Sequence, residues 1–254
     1  MARLKLLTSA LLVGFIVLSG CSQKPPARMD SYLGAVGQGQ ESTVSLQAEQ
    51  ATGPFEAGLI LLNDTSAEGS APALSDRAKA FLADQVHKRI EATTPIRVVK
   101  VLTVADPSQR QDRQAFARLA KEQGLSYLLV ALFSSAESEA PLYLPLTGDP
   151  EQGGGRPTAL GFEARNYALA ELALLDATSA QVIARSDGRA WSRLNRLNVP
   201  IESNAYPVIH RSLRVAPIYP PEKDAKDILR SISGDDALEQ ATYKLGLAWP
   251  RASS

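Results

Sequence analysis

The stretch YLLVALF at residues 127–133 decides the fold, because every position in it is apolar or aromatic. A strand that is apolar on both faces is typical of the centre of a sheet that is covered on both sides. Two more strands are predicted before it, at residues 57–62 and at residues 96–104, where the sequence is IRVVKVLTV. The sequence therefore predicts a sheet with residues 127–133 near its middle.

Helical periodicity fills the two gaps between these strands. Ser75 can cap a helix that runs to about residue 92, and its apolar face is formed by Ala78, Phe81, Leu82, Val86 and Ile90. A second helix is predicted from about Asp112 to Gln123, with Gly124 suited to a left-handed cap at its end. An element order of β-α-β-α-β favours parallel pairing of the three strands.

The next part of the chain predicts antiparallel strands. Residues 142–146 are a candidate fourth strand, and residues 166–176 are predicted to form a hairpin with residues 182–186. The second strand of this hairpin can extend to Trp191, with a bulge or a second turn at Asp187 and Gly188.

After Pro221, apolar residues return at helical spacing and break near Gly234. This pattern predicts two helices, or one interrupted helix, that close over the sheet. The predicted fold class is therefore α/β (α+β), with a mixed sheet made of a β-α-β-α-β unit followed by an antiparallel hairpin, and with C-terminal helices.

The amino-terminal segment, residues 1–20, has the three parts of a signal peptide. Arg3 and Lys5 precede an apolar run over residues 6–18, which is shorter than the roughly 20 residues that span a bilayer. Small residues then lead to the only cysteine of the chain in the sequence Leu18-Ser19-Gly20-Cys21. This sequence reads as a lipobox, in which the Cys21 thiol accepts lipid.

The segment resembles the signals of bacterial lipoproteins. The resemblance implies cleavage after Gly20, a diacylglyceryl thioether on Cys21 and an amide-linked acyl chain such as palmitate. Two or three acyl chains make an anchor stable, because each buried methylene contributes about 0.8 kcal/mol. Ser22 stands where the family's inner-membrane retention signal has Asp, which favours the outer membrane facing the periplasm. An ordinary secretory signal with an incidental cysteine is the alternative.

Charge and cysteine content exclude several kinds of partner. Removing residues 1–20 reduces 27 basic residues to 25, against 27 acidic ones, so the processed chain is nearly neutral. A nucleic-acid-binding surface needs a basic excess that this chain does not have. With Cys21 acylated, no thiol is left for a disulfide or a metal. We expect no cofactor besides the covalent lipid.

Residues 21–54 are predicted to be a lipidated flexible tether. They are rich in Gln, Ser, Gly, Pro and Ala and contain little apolar material. A short helix or strand around Tyr32 or Val44 that docks onto the body is the alternative. Residues 55–254 would then form a single periplasmic α/β domain.

A segment punctuated by prolines, residues 192–221, contains the candidate partner-binding residues. Arginine and tyrosine are enriched where proteins bind each other. The candidates are Arg193, Arg196, Tyr206, Arg211 and Arg214. The alternative is that this segment wraps around its own domain.

Catalytic and metal sites are not indicated. His87 lies near Asp84 and Glu91 on a predicted helix, a pattern that is typical of a solvated helix face, and His210 lies between prolines. Neither a Gly-x-Ser-x-Gly elbow nor a His-Glu-x-x-His helix is present. Residues 153–156 (GGGR) lack the Lys-Ser or Lys-Thr of a phosphate-binding loop. We expect no enzyme activity.

Several of these features together resemble a known family. They are the lipobox, the polar tether, the segment EQGLSYLLVALF at residues 122–133 and the hairpin ALLDATSAQVIARS at residues 173–186. The chain resembles the rhombotarget lipoproteins and, more distantly, the curli-secretion lipoprotein and the amino-terminal domain of TolB. The sequence GLAWP at residues 246–250 departs from the Gly-Gly, transmembrane and basic sorting tail of some rhombotarget members.

The resemblance implies a non-catalytic outer-membrane lipoprotein that binds or scaffolds an envelope or secretion partner. An oligomeric secretion channel of the curli type is an alternative, and so is a homo-oligomer without a channel. A channel requires a hairpin that can enter the bilayer, and residues 166–191 are interrupted by Asp176, Arg185, Asp187 and Arg189. A hydrolase that uses His87 or His210 is the third reading.

Overall fold

The computed structural model describes residues 24–34, 54–103, 112–143, 159–198, 205–247 and 249. The lipobox residues Leu18, Ser19, Gly20 and Cys21 lie outside the described residues. The same is true of the loop at residues 153–156.

Six strands form one mixed sheet. The strands are β1 (Phe55–Asp64), β2 (Ile96–Leu102), β3 (Tyr127–Tyr143), β4 (Ala159–Asp176), β5 (Val182–Leu197) and β6 (Val208–Arg211). Their order across the sheet is β2-β1-β3-β4-β5-β6. β1 pairs in parallel with β2 and β3, whereas the pairs β3–β4, β4–β5 and β5–β6 are antiparallel. The predicted mixed sheet is therefore confirmed.

The described helices are α1 (Met29–Leu33), α2 (Asp76–Thr93), α3 (Arg113–Glu122) and α4 (Ala225–Gly246), with a 3₁₀ turn at Glu222–Asp224. The Ser75 side chain accepts a hydrogen bond from the Ala78 N–H, and Asp112 accepts one from the Ala115 N–H. The Ser75 cap is the one that the sequence predicts for α2, and Asp112, the predicted approximate start of the second helix, is the N-terminal cap of α3. Gly124 has a φ of 70°, as the predicted left-handed cap requires.

The central strand contributes to two cores. Leu129, Ala131 and Phe133 pack with α2 and α4 on one face of the sheet. Their neighbours Leu128, Val130 and Leu132 pack with α1 and α3 on the other face. Because successive side chains of a strand point to opposite faces, an apolar residue is needed at every position of this stretch. The prediction of a central strand covered on both sides is confirmed.

The strands β3, β4 and β5 are longer than the sequence predicts. β3 continues for 17 residues because β4 offers it backbone partners along its whole length. The predicted separate strand at residues 142–146 is therefore wrong for Leu142 and Tyr143, which form the end of β3. β5 also passes Asp187 and Gly188 without the predicted bulge or turn.

α4 is one continuous helix, so the predicted break near Gly234 is wrong. A Cβ atom at Gly234 would lie 3.3 Å from the Leu82 side chain of α2. The glycine thus allows two helices to approach closely. Gly188 has the same role on the sheet, since a Cβ atom there would lie 2.0 Å from the Ala237 carbonyl oxygen of α4.

The predicted tether includes a docked segment. Met29 and Leu33 of α1 are 0% and 2% exposed and belong to the core that contains Phe116. Residues 24–34 are therefore part of the body, because two of their side chains are buried in it. The docked helix lies where the alternative placed it, around Tyr32.

The proline-punctuated segment at residues 192–221 largely wraps its own domain. Residues 192–197 complete β5, and β6 pairs with them. Ile218 then pairs with Ile209 of β6 through backbone hydrogen bonds of 2.8 and 2.9 Å. Within the described residues, the segment thus adds a strand and a bridge to the sheet edge.

Candidate functional site

The five candidate partner-binding residues do not share one surface. Arg193 of β5 lies on the face of the sheet opposite α4, in cross-strand register with Arg165. Arg196 lies on the α4 side, where its guanidinium is 5.5 Å from the centre of the Phe162 ring and pairs with Glu222. Tyr206 is half-buried just before β6. The sequence placed these residues together only because they are close along the chain.

Arg211 forms an internal ion pair. Its Nε donates to Oδ2 of Asp236 at 3.0 Å, its second terminal nitrogen contacts Oδ1, and Asp236 is fully buried in α4. The hydrogen bonds to Asp236 raise the pKa of Arg211, although burial opposes the increase. Burial also raises the pKa of the neighbouring Asp235, which pairs with Arg89 at 2.7 Å. Arg211 therefore contributes to the stability of the domain.

The loop after β6 carries exposed apolar side chains, and we call residues 213–219 the apolar loop. Leu213 is 45% exposed, Tyr219 is 58% exposed and Val215 is fully exposed. The loop is held at both ends, by hydrogen bonds between Ser212 and Trp191 and by the Ile209–Ile218 bridge. These apolar residues are not among the candidates predicted from the sequence, which are four arginines and Tyr206. The sequence feature that could have indicated this loop is its set of apolar residues between prolines.

Arg214 is the charged residue of this loop. It is exposed, and a terminal nitrogen of its guanidinium donates to Glu239 of α4 at 2.7 Å. The apolar loop therefore lies on the same side of the sheet as α4. A charged pair next to exposed apolar side chains is the usual composition of a protein-binding surface.

A second surface lies on the opposite face of the sheet, where β4 and β5 extend beyond α1 and α3. We call it the open face. It consists of Glu163, Arg165 and Tyr167 of β4 and Arg189, Trp191 and Arg193 of β5, with Tyr167 directly opposite Trp191. Trp191 is 40% exposed. No helix among the described residues packs on this part of the sheet, whereas α4 covers its other side.

The open face has an excess of arginine. Glu163 accepts a hydrogen bond from Arg165 Nε at 2.6 Å and lies 3.5 Å from Arg193. The hydrogen bond that Arg165 donates to Glu163, followed by one with Tyr167, raises the pKa of Arg165. Two guanidinium groups directly opposite each other repel, and they share a single carboxylate here. The Nε of Arg193 has no hydrogen-bond partner within the described structure.

A buried carboxylate fixes the amino-terminal segment next to this face. Glu171 of β4 is 1% exposed and accepts hydrogen bonds from the backbone N–H groups of Arg28 at 2.7 Å and Met29 at 3.1 Å. It also accepts one from Arg185 at 3.0 Å, and Arg185 pairs with Asp30. Burial would lower the pKa of Arg185, but the two carboxylates outweigh burial and raise it. A carboxylate at the start of α1 also suits the helix dipole.

Arg28 adds a second attachment. Its Nε donates to Asp64 at 3.1 Å, and a terminal nitrogen donates to the Ser66 hydroxyl at 2.7 Å. Burial would raise the pKa of Asp64, but hydrogen bonds from the Ser66 hydroxyl and N–H and from Arg28 outweigh burial and lower it. Burial raises the pKa of the Tyr32 hydroxyl, and the nearby Asp64 adds to this increase.

Docking of the amino-terminal segment is expected to weaken in acid. Because the pKa of Asp64 is lower in the folded protein than its usual value of 3.8, the carboxylate stabilises the fold above that value. This contribution is lost as the pH falls through the lower folded pKa. Asp64→Asn should reduce stability at neutral pH and flatten the decrease below about pH 4.

Urea unfolding at a series of pH values measures this effect. Asp76→Asn is the matched control, because the Asp76 side chain is fully exposed and pairs with Lys79 on the same helix. An Asp64→Asn profile that parallels the wild type over the acid range would contradict the assignment of Asp64.

Two clefts flank the amino-terminal segment. A cleft of about 450 Å³ is lined by Lys24, Pro25, Pro26, Ala67, Glu68, Ser70, Ser135 and Ala136. Another of about 300 Å³ is lined by residues of α1 and by Asp112, Arg113 and Gln114. Neither cleft contains a histidine.

The two histidines are far from a catalytic arrangement. His87 lies on the exposed side of α2, with Nε2 3.2 Å from Glu91, and Asp84 pairs with Lys88 instead. His210 of β6 is half-buried opposite Arg193. Within the described ranges, no three His, Cys, Asp or Glu side chains come together to hold a metal ion. The catalytic reading gains no geometric support from this arrangement.

The hairpin that a channel would need is part of the core. Ala168 and Ala170 of β4 and Ala184 and Ala190 of β5 pack in the cluster that includes α4. Inserting this hairpin into a bilayer would require α4 to leave the face of the sheet that it covers. None of the helices in the described part of the chain has the length and apolar content needed to cross a bilayer.

The fold is that of a mixed α/β protein. The solved structures that are similar to it are only distantly similar. No family model and no curated protein matches the chain. The PelC dodecamer from Paraburkholderia phytofirmans is 11% identical with a TM-score of 0.34, and the match covers 78% of this chain and 93% of that one.

Two further structures are similar at the same level. A hypothetical protein from Chlamydia trachomatis is 11% identical with a TM-score of 0.31, over 76% of this chain and 92% of that one. A protein from Xanthomonas campestris of the DUF330 family is 13% identical with a TM-score of 0.27, over 81% and 90%. At such low TM-scores, these structures carry no argument about the function or assembly of this chain.

Proposed function

We propose that the protein is an outer-membrane lipoprotein facing the periplasm, anchored through Cys21, which binds and scaffolds an envelope protein without catalysing a reaction. The observation that carries the binding role is the apolar loop. It presents Leu213, Val215 and Tyr219 to solvent within one short loop that hydrogen bonds hold at both ends.

The apolar loop fits a protein partner better than a small molecule. Its side chains are exposed, and neither of the two clefts beside the amino-terminal segment includes them, whereas small ligands are usually bound in enclosed pockets. Tyrosine and an adjacent arginine, here Tyr219 and Arg214, are typical of protein interfaces. Because backbone bonds already hold the loop, binding needs little further ordering.

The anchor is supported by the sequence before residue 24. A charged start, an apolar run and small residues before Cys21 suit lipid modification. The non-catalytic role is supported by the histidines, since His87 contacts a carboxylate on its own exposed helix face. No metal or cofactor is part of the proposal.

Site-specific photo-crosslinking in living cells tests the proposed function. A photoreactive residue in place of Val215 should give a discrete crosslinked protein, identified by mass spectrometry of the membrane fraction. The same residue in place of Glu122 is the control, because Glu122 is exposed at the end of α3 on the other side of the sheet. We expect the control to give no such product.

The anchor is tested in the same experiment by adding Cys21→Ala. If the partner belongs to the membrane, its crosslink to position 215 should be lost or strongly reduced. A crosslink only to further copies of this chain would contradict the adaptor role and favour a homo-oligomer. Equal crosslinking from positions 215 and 122 would contradict the apolar loop as the binding surface.

A further inference from the structure

We propose that the open face binds the phosphate headgroups of the membrane in which the protein is anchored, so that the body lies on the bilayer with β4 and β5 facing the lipid. This inference rests on the proposed lipid anchor at Cys21. It assigns a second role to the sheet, separate from that of the apolar loop.

The path of the chain brings the anchor to the border of the open face. Lys24 is only three residues after Cys21, and a residue spans at most about 3.6 Å, so the two α-carbons lie within roughly 11 Å of each other. The next residue, Pro25, accepts a hydrogen bond from Arg189 of the open face at 3.1 Å. The lipid and the open face must therefore be close together.

The docked segment keeps this geometry fixed. Glu171 holds the backbone at Arg28 and Met29, and the Met29 and Leu33 side chains are buried. Residues 35–53 come after this attachment along the chain. Residues 35–53 therefore do not lie between Cys21 and the point where the body begins. A flexible tether over residues 21–54 would have put them there.

The charge of the surface suits phosphate. Three arginines lie on the open face, Arg165, Arg189 and Arg193, against the two carboxylates Glu163 and Asp187. Guanidinium groups bind phosphate oxygens in a two-pronged geometry. The side chains of Arg165 and Arg193 are 46% and 35% exposed, so both can meet a phosphate, although the Nε of Arg193 is itself buried.

The aromatic pair suits the membrane interface. Trp191 and Tyr167 lie directly opposite each other on neighbouring strands, between Arg189 and the pair of Arg165 and Arg193. Tryptophan and tyrosine concentrate where the headgroups meet the acyl chains, because their rings are apolar and carry one polar group. A protein partner is the other occupant that could cover this face. The close anchor and the excess of arginine favour the lipid.

This orientation leaves the partner site accessible. The apolar loop adjoins α4 through the Arg214–Glu239 pair, and α4 packs on the face of the sheet opposite the open face. With the open face on the lipid, Val215 would therefore point away from the membrane.

Tryptophan quenching tests the proposal, because the chain has only Trp191 and Trp249. The full-length lipidated protein is reconstituted into vesicles of phosphatidylethanolamine and phosphatidylglycerol that contain lipid brominated close to the headgroup. In the Trp249→Phe variant, Trp191 fluorescence should be quenched. In the matched Trp191→Phe variant, Trp249, which is 8% exposed, should not be quenched.

Charge removal provides the second measurement. Arg165→Gln and Arg193→Gln are each introduced into the Trp249→Phe variant. Each should lower the equilibrium constant for contact of the open face with the lipid by roughly fivefold. Arg77→Gln is the control, because Arg77 is an exposed residue of α2, and α2 packs on the other side of the sheet. It should leave quenching unchanged.

The outcomes separate this inference from the proposed function. Flotation with the vesicles reports the anchor by itself, and a protein that does not float would overturn both. A protein that floats but shows no quenching of Trp191 would overturn the orientation alone. Acrylamide in solution also quenches exposed tryptophan. If Trp191 is shielded from acrylamide equally in vesicles and in detergent, protein and not lipid covers the open face. That result would also overturn the proposed orientation.

Discussion

Replacing Arg211 with methionine is expected to lower the free energy of unfolding by about 3–5 kcal/mol. The variant leaves the carboxylate of Asp236 without its principal partner, and Asp236 is fully buried. Removing one member of a buried ion pair is costly because the other charge stays in a medium that solvates it poorly. The pair also joins β6 to α4, so its loss should loosen the edge of the sheet.

Urea unfolding of the wild type and of two matched variants measures this cost. Arg214→Met removes a neighbouring arginine whose main partner, Glu239, is exposed, and it should cost about 1 kcal/mol or less. The double variant Arg211→Met with Asp236→Leu removes both buried charges and should regain much of the lost stability. An Arg211→Met variant as stable as Arg214→Met would contradict the assignment.

Replacing Cys21 with alanine is expected to abolish lipid attachment and to release the body from the membrane. The acyl chains contribute about 0.8 kcal/mol per buried methylene, so two or three chains together hold the protein far more strongly than its surface can. Incorporation of an alkyne analogue of palmitate, followed by separation of membranes from soluble periplasm, measures both effects.

Ser22→Ala is the control for this variant, because it changes the neighbouring residue and leaves the lipid acceptor in place. The control should incorporate the analogue as the wild type does. Equal incorporation by Cys21→Ala would show that lipid is attached elsewhere and would contradict the lipobox assignment.

Local patterns predicted much of the fold. The apolar run at residues 127–133 is the central strand, Ser75 caps α2 as expected, and α3 begins at the predicted place, next to Asp112. These features depend on neighbours within a few residues, which sequence patterns record. The break at Gly234 was misjudged because the effect of a glycine depends on what lies beside it, here Leu82 of another helix.

The site residues were harder to predict because they depend on distant contacts. Glu171 is a charged residue in an otherwise apolar part of β4, and its burial is explained by the docked backbone at Arg28 and Met29, more than 140 residues earlier. The open face left a local signal, since Arg165 and Tyr167 alternate with the buried residues Ala164 and Asn166. The residues on one face of β4 are exposed because α4 covers the other face. The sequence does not show which face α4 covers.

Mass spectrometry of the mature amino terminus tests the central claim, a lipid-anchored envelope protein, most directly. The protein is purified from membranes and digested with trypsin, which cuts poorly between Lys24 and Pro25, so the first peptide should end at Arg28. We predict a peptide that begins at Cys21 and carries a diacylglyceryl group and an amide-linked acyl chain. A mature chain that begins at another residue, or a free thiol at Cys21, would contradict the claim.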